Sequence, residues 1–204
     1  MFMRGISLPL KRTKKMFNEF FNIIFKSIKL DKNLYSDNSN FGEASIYFGI
    51  VIILLTSIIS MIPGSVFFQH MNQSFGITGI EGPSLRSILI SSFLIWIIKT
   101  SYLYFVCVVL FPGKLTKCSF RKLLITVAYA NSPFLFYIFI IDIKLIYFTF
   151  IPYVLYCITL IVGLKIVLKY ENYFKPTIIS LAPQLLLLAY FLSSIFTINN
   201  GAVS

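Results

Sequence analysis

One lysine stands out among the residues of this chain that could do chemistry. Lys99 lies near the middle of the run Ile88–Phe111, which contains no other charged residue. A lysine at the centre of a bilayer costs about 2.5–3.5 kcal/mol on insertion scales, and such residues often mark functional sites. Its ammonium group can bind an anion or a lipid head group. The alternative is a lysine that snorkels to the surface from a shifted helix, and the sequence leaves both interpretations open.

Lys99 has no acidic partner within the apolar runs, so neither an intramembrane ion pair nor a carboxylate proton relay is expected. The seven acidic residues all lie outside those runs or at their ends: Glu19, Asp31, Asp37, Glu43, Glu81, Asp142 and Glu171. Pro133 has no N–H and frees the carbonyl of Tyr129, which could accept from Lys99 together with the Tyr129 hydroxyl. We therefore predict a candidate intramembrane polar site comprising Lys99, Tyr129, Asn131 and Pro133.

Catalytic and metal-binding patterns are not found in the sequence. His70 is the only histidine, and Cys107, Cys118 and Cys157 have no zinc or redox spacing. No glutamate pair or nucleophile motif accompanies them. We therefore predict a protein that is not an enzyme, with no catalytic residue, no metal site and no cofactor.

Composition indicates an integral membrane protein. Of 204 residues, 57% are hydrophobic and only 12% are charged, whereas soluble domains have about 25% charged residues. The net charge of +11 arises from basic residues between apolar runs, where membrane topology and anionic lipid head groups account for it. Nucleic acid is therefore not a predicted partner.

Apolar runs predict an all-α polytopic protein with five transmembrane helices. They are Ser45–Ile62, Ile88–Phe111, Leu123–Ile141, Leu145–Leu168 and Thr177–Ile198. Pro63-Gly64 predicts the end of the first helix, and Gln69–Ser87 is interpreted as a loop. The predicted domains are a cytosolic segment (1–44), a transmembrane domain (45–198) and a short outside tail (199–204).

Proline falls within three predicted spans, at Pro133, Pro152 and Pro183. Each is expected to remove an intrahelical bond, which would give either broken helices along a substrate path or ordinary kinks in a packed bundle. The lack of intramembrane acids favours kinks. Ala128, Ala130 and Ser132 form a small-residue face that is expected to pack closely against another helix.

Positive charges predict the orientation. Fifteen of the 18 Lys and Arg residues lie in segments that five spans place on one side, so we predict a cytoplasmic N-terminus and an outside C-terminus. The membrane would be the plasma (inner) membrane in a prokaryote and an endomembrane in a eukaryote. The expected partners of these cations are the bilayer and its anionic lipids. The candidate head-group contacts are Lys11, Arg12, Lys14, Lys15, Lys114, Lys117, Arg121 and Lys122.

The N-terminal segment has an amphipathic pattern. Residues 1–15 are interpreted as a poorly ordered basic arm, 16–30 as a helix, and 31–41 as a polar connector. The helix has an apolar face made by Phe17, Phe20, Phe21, Ile24 and Ile28. Aromatic residues opposite cations favour a helix in the membrane interface, and the alternative is a helix packed on the rest of the protein.

Two short motifs resemble the Yip-one domain family of Ypt/Rab-interacting membrane proteins. The first is FRKLL (120–124) followed by AYANSP (128–133), and the second is LIVGLK (160–165) before a polar break. The resemblance covers Phe17 to Ile198. It implies a five-span membrane protein without known catalysis, with a small GTPase as partner only in a eukaryote. The short N-terminal region resembles that of prokaryotic members.

These observations lead to two hypotheses. The first is a non-enzymatic Yip-type protein that organises membrane or partner proteins, in membrane trafficking or homeostasis, with a membrane-protein partner or a second copy of itself. The second is a small transporter or channel subunit that uses Lys99 and the proline-kinked spans.

Overall fold

The computed structural model describes residues 7–36, 43–75, 84–112, 118–140, 143–183 and 185, and within these ranges it contains helices and no strand. The elements are α1 (Ser7–Ile28), α2 (Lys32–Ser36), α3 (Glu43–Phe75), α4 (Leu85–Tyr104), a π-helical segment (Phe105–Leu110), α5 (Phe120–Ala130), two 3₁₀ segments (Ser132–Phe139 and Ile143–Thr149) and α6 (Phe150–Val167). Residues 174–183 are also helical. The predicted all-α fold is confirmed.

Four helical stretches of the described chain are long and apolar enough to cross a membrane. They are Ser45–Val66, Leu85–Leu110, Phe120–Phe139 and Phe150–Val167. They coincide with the first four predicted spans. Of the predicted fifth span, residues 177–183 and 185 are helical, and its remainder lies outside the described residues together with the 199–204 tail.

The first span is longer than the sequence predicted. Helix α3 continues through Pro63 to Phe75, so the prediction that it ends at Pro63-Gly64 was wrong. Proline deletes one backbone donor, and the bonds on either side of it are enough to carry the helix past the gap. The predicted loop shrinks at its other end too. There α4 starts at Leu85, because the Ser84 side chain caps it by accepting from the Ser87 N–H at 3.3 Å.

Two of the prolines do not kink a helix in the predicted way. At Pro133 the third span changes from α-helix to a 3₁₀ segment instead of bending as one α-helix. Pro152 is the third residue of α6, which follows directly on the 3₁₀ segment Ile143–Thr149, so it too lies at a change of helix type. The fourth span therefore begins its α-helix at Phe150, after a 3₁₀ segment.

Residues before the first span form two helices, where the sequence predicted one. Helix α1 begins at Ser7 within the predicted arm, and α2 lies within the predicted connector. Helix α1 ends with Leu30 in the left-handed region, at φ 57°. The Leu30 N–H bonds to the Ser27 carbonyl and the Asp31 N–H to the Lys26 carbonyl, which is a Schellman turn. This turn sends the chain back toward the bundle, where Leu34 and Tyr35 of α2 are buried.

Helix α1 packs on the bundle with only part of its surface. Ile23 and Ile24 are buried, and the Phe20 ring contacts Phe48 of α3 at 5.9 Å between centroids. The alternative of a helix packed on the protein therefore holds for this face. The remaining aromatic residues stay exposed, by 63% at Phe17, 41% at Phe21 and 59% at Phe25.

Ala128, one of the three small residues singled out in the sequence, packs closely against α3. Ala128, Ala130 and Ser132 are fully buried, and a Cβ atom added at Gly49 of α3 would lie 3.1 Å from the Ala128 Cβ. Small side chains on both helices thus let the α3 and α5 backbones approach, as is common in membrane bundles.

Candidate functional site

A cavity of about 360 Å³, lined by both polar and apolar side chains, lies between the four spans. It receives residues from the middle of α3, the part of α4 from Ser92 to Lys99, the third span from Val127 onward, and the first two turns of α6. Its lining is Ile53, Thr56, Ser57, Ser60, Ser92, Ile95, Trp96, Lys99, Val127, Asn131, Phe134, Tyr137, Tyr153 and Tyr156. The cavity therefore occupies the half of the bundle in which the third span ends and α6 begins.

Lys99 is the only cation of this lining. Its ammonium nitrogen lies 4.4 Å from the centroid of the Tyr156 ring, a cation–π contact. Within the described part of the chain no hydrogen bond or ion pair reaches it. The neighbouring Trp96 donates from Nε1 to the Leu124 carbonyl at 3.1 Å, and this bond fixes the rotation of α4 against α5 so that Lys99 faces the cavity.

Six hydrogen-bond donors around the cavity are already used by the backbone. The hydroxyls of Thr56, Ser57 and Ser60 donate to carbonyls within α3 at 2.8, 2.6 and 2.8 Å. Asn131 Nδ2 donates to the Val127 carbonyl at 2.7 Å, and the Tyr137 hydroxyl donates to the Thr149 carbonyl at 3.3 Å. These groups retain oxygen lone pairs, so the wall around Lys99 is rich in acceptors.

The Tyr129 carbonyl freed by Pro133 does not bind Lys99. Ser27 Oγ of α1 donates to it at 2.7 Å, and Ser132 Oγ donates to it at 2.8 Å. The Tyr35 hydroxyl lies 3.3 Å from Ser27 Oγ and donates to it, because the single Ser27 proton is already used. Burial raises the pKa of Tyr35, which keeps its hydroxyl protonated. The carbonyl that was expected to bind Lys99 is instead bound by Ser27, which precedes Tyr129 by 102 positions in the sequence.

The four predicted site residues divide into two pairs. Lys99 and Asn131 line the cavity, whereas Tyr129 and Pro133 are buried beside it without lining it. The Tyr129 hydroxyl is buried, has no hydrogen-bond partner among the described residues, and lies close to the buried Ser45. It is therefore a neighbour of α3 and no ligand of Lys99.

The described members of the predicted head-group contacts are not part of the cavity lining. Lys15 and Arg121 are exposed, and Lys122 is partly buried at the start of α5. The backbone of Lys11, Arg12 and Lys14 is part of α1, and their side chains lie outside the described residues. Lys114 and Lys117 lie in a segment that is also outside them.

The opposite half of the bundle is filled by the N-terminal helices. Tyr35 of α2 lies against Gly163 of α6, where an added Cβ atom would come 3.2 Å from the tyrosine ring and 2.8 Å from Thr126 Cγ2 of α5. Tyr35 and Thr126 are fully buried. The N-terminal helices thus form a packed plug (Ser27, Leu34 and Tyr35) in this half of the bundle, and none of its three residues lines the cavity.

Sequence reasoning missed the hydroxyl residues of the cavity. A usable signal existed, because Ser57 and Ser60 are three positions apart, as are Tyr153 and Tyr156, and residues at this spacing share one face of a helix. Ser92 lies seven positions before Lys99, on the same face of α4. A polar stripe on each of three spans indicates a shared polar cavity.

No metal cluster is found in the described residues, and the Cys118 thiol is not reactive. No group of three His, Cys, Asp or Glu residues there could hold a metal ion. Cys118 precedes α5 and is buried, and burial raises its pKa to about 11. The thiol is therefore protonated at neutral pH and is a weak nucleophile.

The four long apolar helices fit a helical multi-pass membrane protein, and a cavity of mixed polarity lies between them. The chain matches no family model, no curated protein sequence and no solved structure.

Proposed function

We propose that the chain is a non-enzymatic membrane protein of the Yip-one domain type that organises membrane or partner proteins in trafficking or membrane homeostasis. It has five spans, with the N-terminus in the cytoplasm and the C-terminus outside. The motifs at 120–133 and 160–165 and the one-sided distribution of Lys and Arg support this proposal. Its partners are anionic lipids and either another membrane protein or a second copy, with a small GTPase only in a eukaryote.

The observation that carries the proposal is the exposed aromatic stripe on α1. Phe17, Phe21 and Phe25 recur every four residues and are all exposed, and the first two rings lie 4.6 Å apart. Ser27 fixes the other side of the same helix to α5 through the Tyr129 carbonyl. A helix held on the bundle with aromatic rings outward suits the membrane interface, where α1 is an amphipathic anchor. Exposed Lys15 and Lys29 add attraction to anionic lipid.

We expect α1 to be protected from hydrogen exchange by anionic lipid. The full-length protein is placed in nanodiscs of phosphatidylcholine with or without phosphatidylserine, and exchange is followed in peptides from 7–28. Each lysine near an anionic surface contributes about 1 kcal/mol, so exchange should slow about fivefold or more. Peptides from α6 serve as the internal control. Replacing Phe17, Phe21 and Phe25 by serine should abolish the protection. The proposal is contradicted if the exchange rate in α1 changes neither with lipid charge nor with these substitutions.

A second candidate function, a small transporter or channel subunit, is favoured by the cavity around Lys99. The packed plug of Ser27, Leu34 and Tyr35 opposes free conduction, so solute movement would require α1 and α2 to shift. We expect no substrate-independent ion flux in liposomes containing the purified protein. Flux that exceeds that of empty liposomes and disappears in Lys99→Leu would favour the transporter over the organising protein.

A further inference from the structure

We propose that the Lys99 cavity is a binding site for a compact monoanion that carries its own hydrogen-bond donors, such as a phosphodiester or carboxylate bearing hydroxyl groups. This inference rests on the cavity of the second candidate function but not on transport, since a head group can be held without crossing the membrane. The ligand is either a lipid head group or a free solute of the same chemistry.

The charge of the site calls for one negative charge. Lys99 is the only charged residue among the cavity lining, and its contact within the described chain is the face of the Tyr156 ring. An ammonium in a low-dielectric surrounding is strongly stabilised by an anion at hydrogen-bond distance. A single cation balances a monoanion, and a second negative charge would remain uncompensated.

The acceptors of the wall define the rest of the ligand. Ser57 and Ser60 direct their single protons to backbone carbonyls, so they offer lone pairs to the cavity, and Asn131 offers its amide oxygen and its second Nδ2 proton. Trp96 also gives its N–H to the backbone. An anion without donors would meet Lys99 and the second Asn131 N–H, and it would leave the serine lone pairs without a donor. A monoanion with hydroxyl donors satisfies both the cation and the acceptors.

The size and the opening of the cavity fit such a ligand. A volume of about 360 Å³ holds on the order of twelve waters at about 30 Å³ each, enough for a glycerol-phosphate group. Ile95 of α4 and Tyr153 of α6 are the exposed residues of the lining. Access for a head group or a solute therefore lies between α4 and α6. Lys99 lies seven residues after Ser92, which is about 10 Å further along α4 at about 1.5 Å per residue.

Trp96 makes binding directly measurable. It is the only tryptophan of the chain and it lines the cavity. Its fluorescence is followed in the full-length protein in an uncharged maltoside detergent, with three probes. Glycerophosphoglycerol has a monoanion and hydroxyls, diethyl phosphate has the monoanion alone, and glycerol has hydroxyls alone. We expect saturable binding of the first, at least about tenfold weaker binding of the second, and none of the third. Equal fluorescence responses to all three probes, or no response, would overturn the proposal. This result is obtained with the wild-type protein and needs no substituted variant.

A matched pair of lysine substitutions tests the assigned residue. Lys99→Met should weaken glycerophosphoglycerol binding about tenfold or more, as expected for loss of a charge-assisted bond. Lys165→Met is the control, because Lys165 also lies over a tyrosine ring, at 3.8 Å from the Tyr173 centroid, and does not line the cavity. Equal effects of the two substitutions would overturn the assignment.

The source of the ligand is read by comparing short-chain phosphatidylglycerol with its free head group, glycerophosphoglycerol. Tighter binding of the lipid that still depends on Lys99 identifies a head-group site open to the bilayer. Equal binding identifies a solute site. Lipid binding that is the same in Lys99→Met contradicts the proposal, because the acyl chains alone would then account for it. A flux assay without activity leaves these binding results unaffected, so failure of transport and failure of the site are distinguishable.

Discussion

Replacement of Gly163 by alanine is expected to lower the free energy of unfolding by about 1–2 kcal/mol. The new Cβ atom would lie 2.8 Å from Thr126 Cγ2 and 3.2 Å from the Tyr35 ring. Neither neighbour yields easily, because both are fully buried and Thr126 is held by a 2.8 Å bond from its hydroxyl to the Lys122 carbonyl. Overpacking of this kind costs about 1–3 kcal/mol, and the better helix propensity of alanine offsets up to about 1 kcal/mol.

Gly64→Ala is the matched control for this prediction. It places the same methyl group in a span helix where no atom lies within 4 Å, so it should be neutral or slightly stabilising. Thermal unfolding of the detergent-solubilised protein measures both variants. Adding Thr126→Ser to Gly163→Ala removes the clashing methyl group and should recover part of the loss. Identical melting of the two alanine variants, or no recovery, would show that α2, α5 and α6 are not packed as described.

Ser27→Ala should have a comparable effect by breaking the link between the N-terminal helices and the bundle. The variant leaves the Tyr129 carbonyl with Ser132 as its side-chain donor and leaves the Tyr35 hydroxyl without its acceptor. A buried polar group that loses its partner costs about 1–3 kcal/mol. We expect a lower melting temperature, together with faster hydrogen exchange in α1 and α2.

Ser65→Ala controls for the loss of a serine hydroxyl, since Ser65 is exposed and bonds to the Ile62 carbonyl of its own turn. Its effect should stay within about 0.5 kcal/mol. Tyr35→Phe removes the donor that Ser27 accepts, so the pair Ser27→Ala and Tyr35→Phe should be less costly than the sum of the single changes. Strict additivity would mean that Ser27 and Tyr35 are not coupled.

The class of protein and the position of its spans follow from the sequence, because hydropathy is a sum over neighbouring residues. A window of apolar residues needs no knowledge of the rest of the fold to be assigned to a membrane. The first four spans were located in this way. Their ends were less accurate, as at Pro63 and Phe120, because a cap or a tolerated proline depends on one or two local bonds. The choice of Lys99 and Asn131 was also local, since each is polar within an apolar run.

Only the tertiary structure decided which polar groups meet. The sequence suggested that the Tyr129 carbonyl binds Lys99, because both lie near the middle of the membrane. In the structure Ser27 bonds to this carbonyl, because the Schellman turn at Leu30 folds α1 and α2 into the bundle. The hydroxyls of the cavity come from separate spans and face one another only after helix rotation is fixed by contacts such as that of Trp96 with Leu124. Depth in the membrane is a property of one segment, and the sequence determines it. Rotation and proximity depend on side chains from all segments packing at once, and only the folded chain determines them.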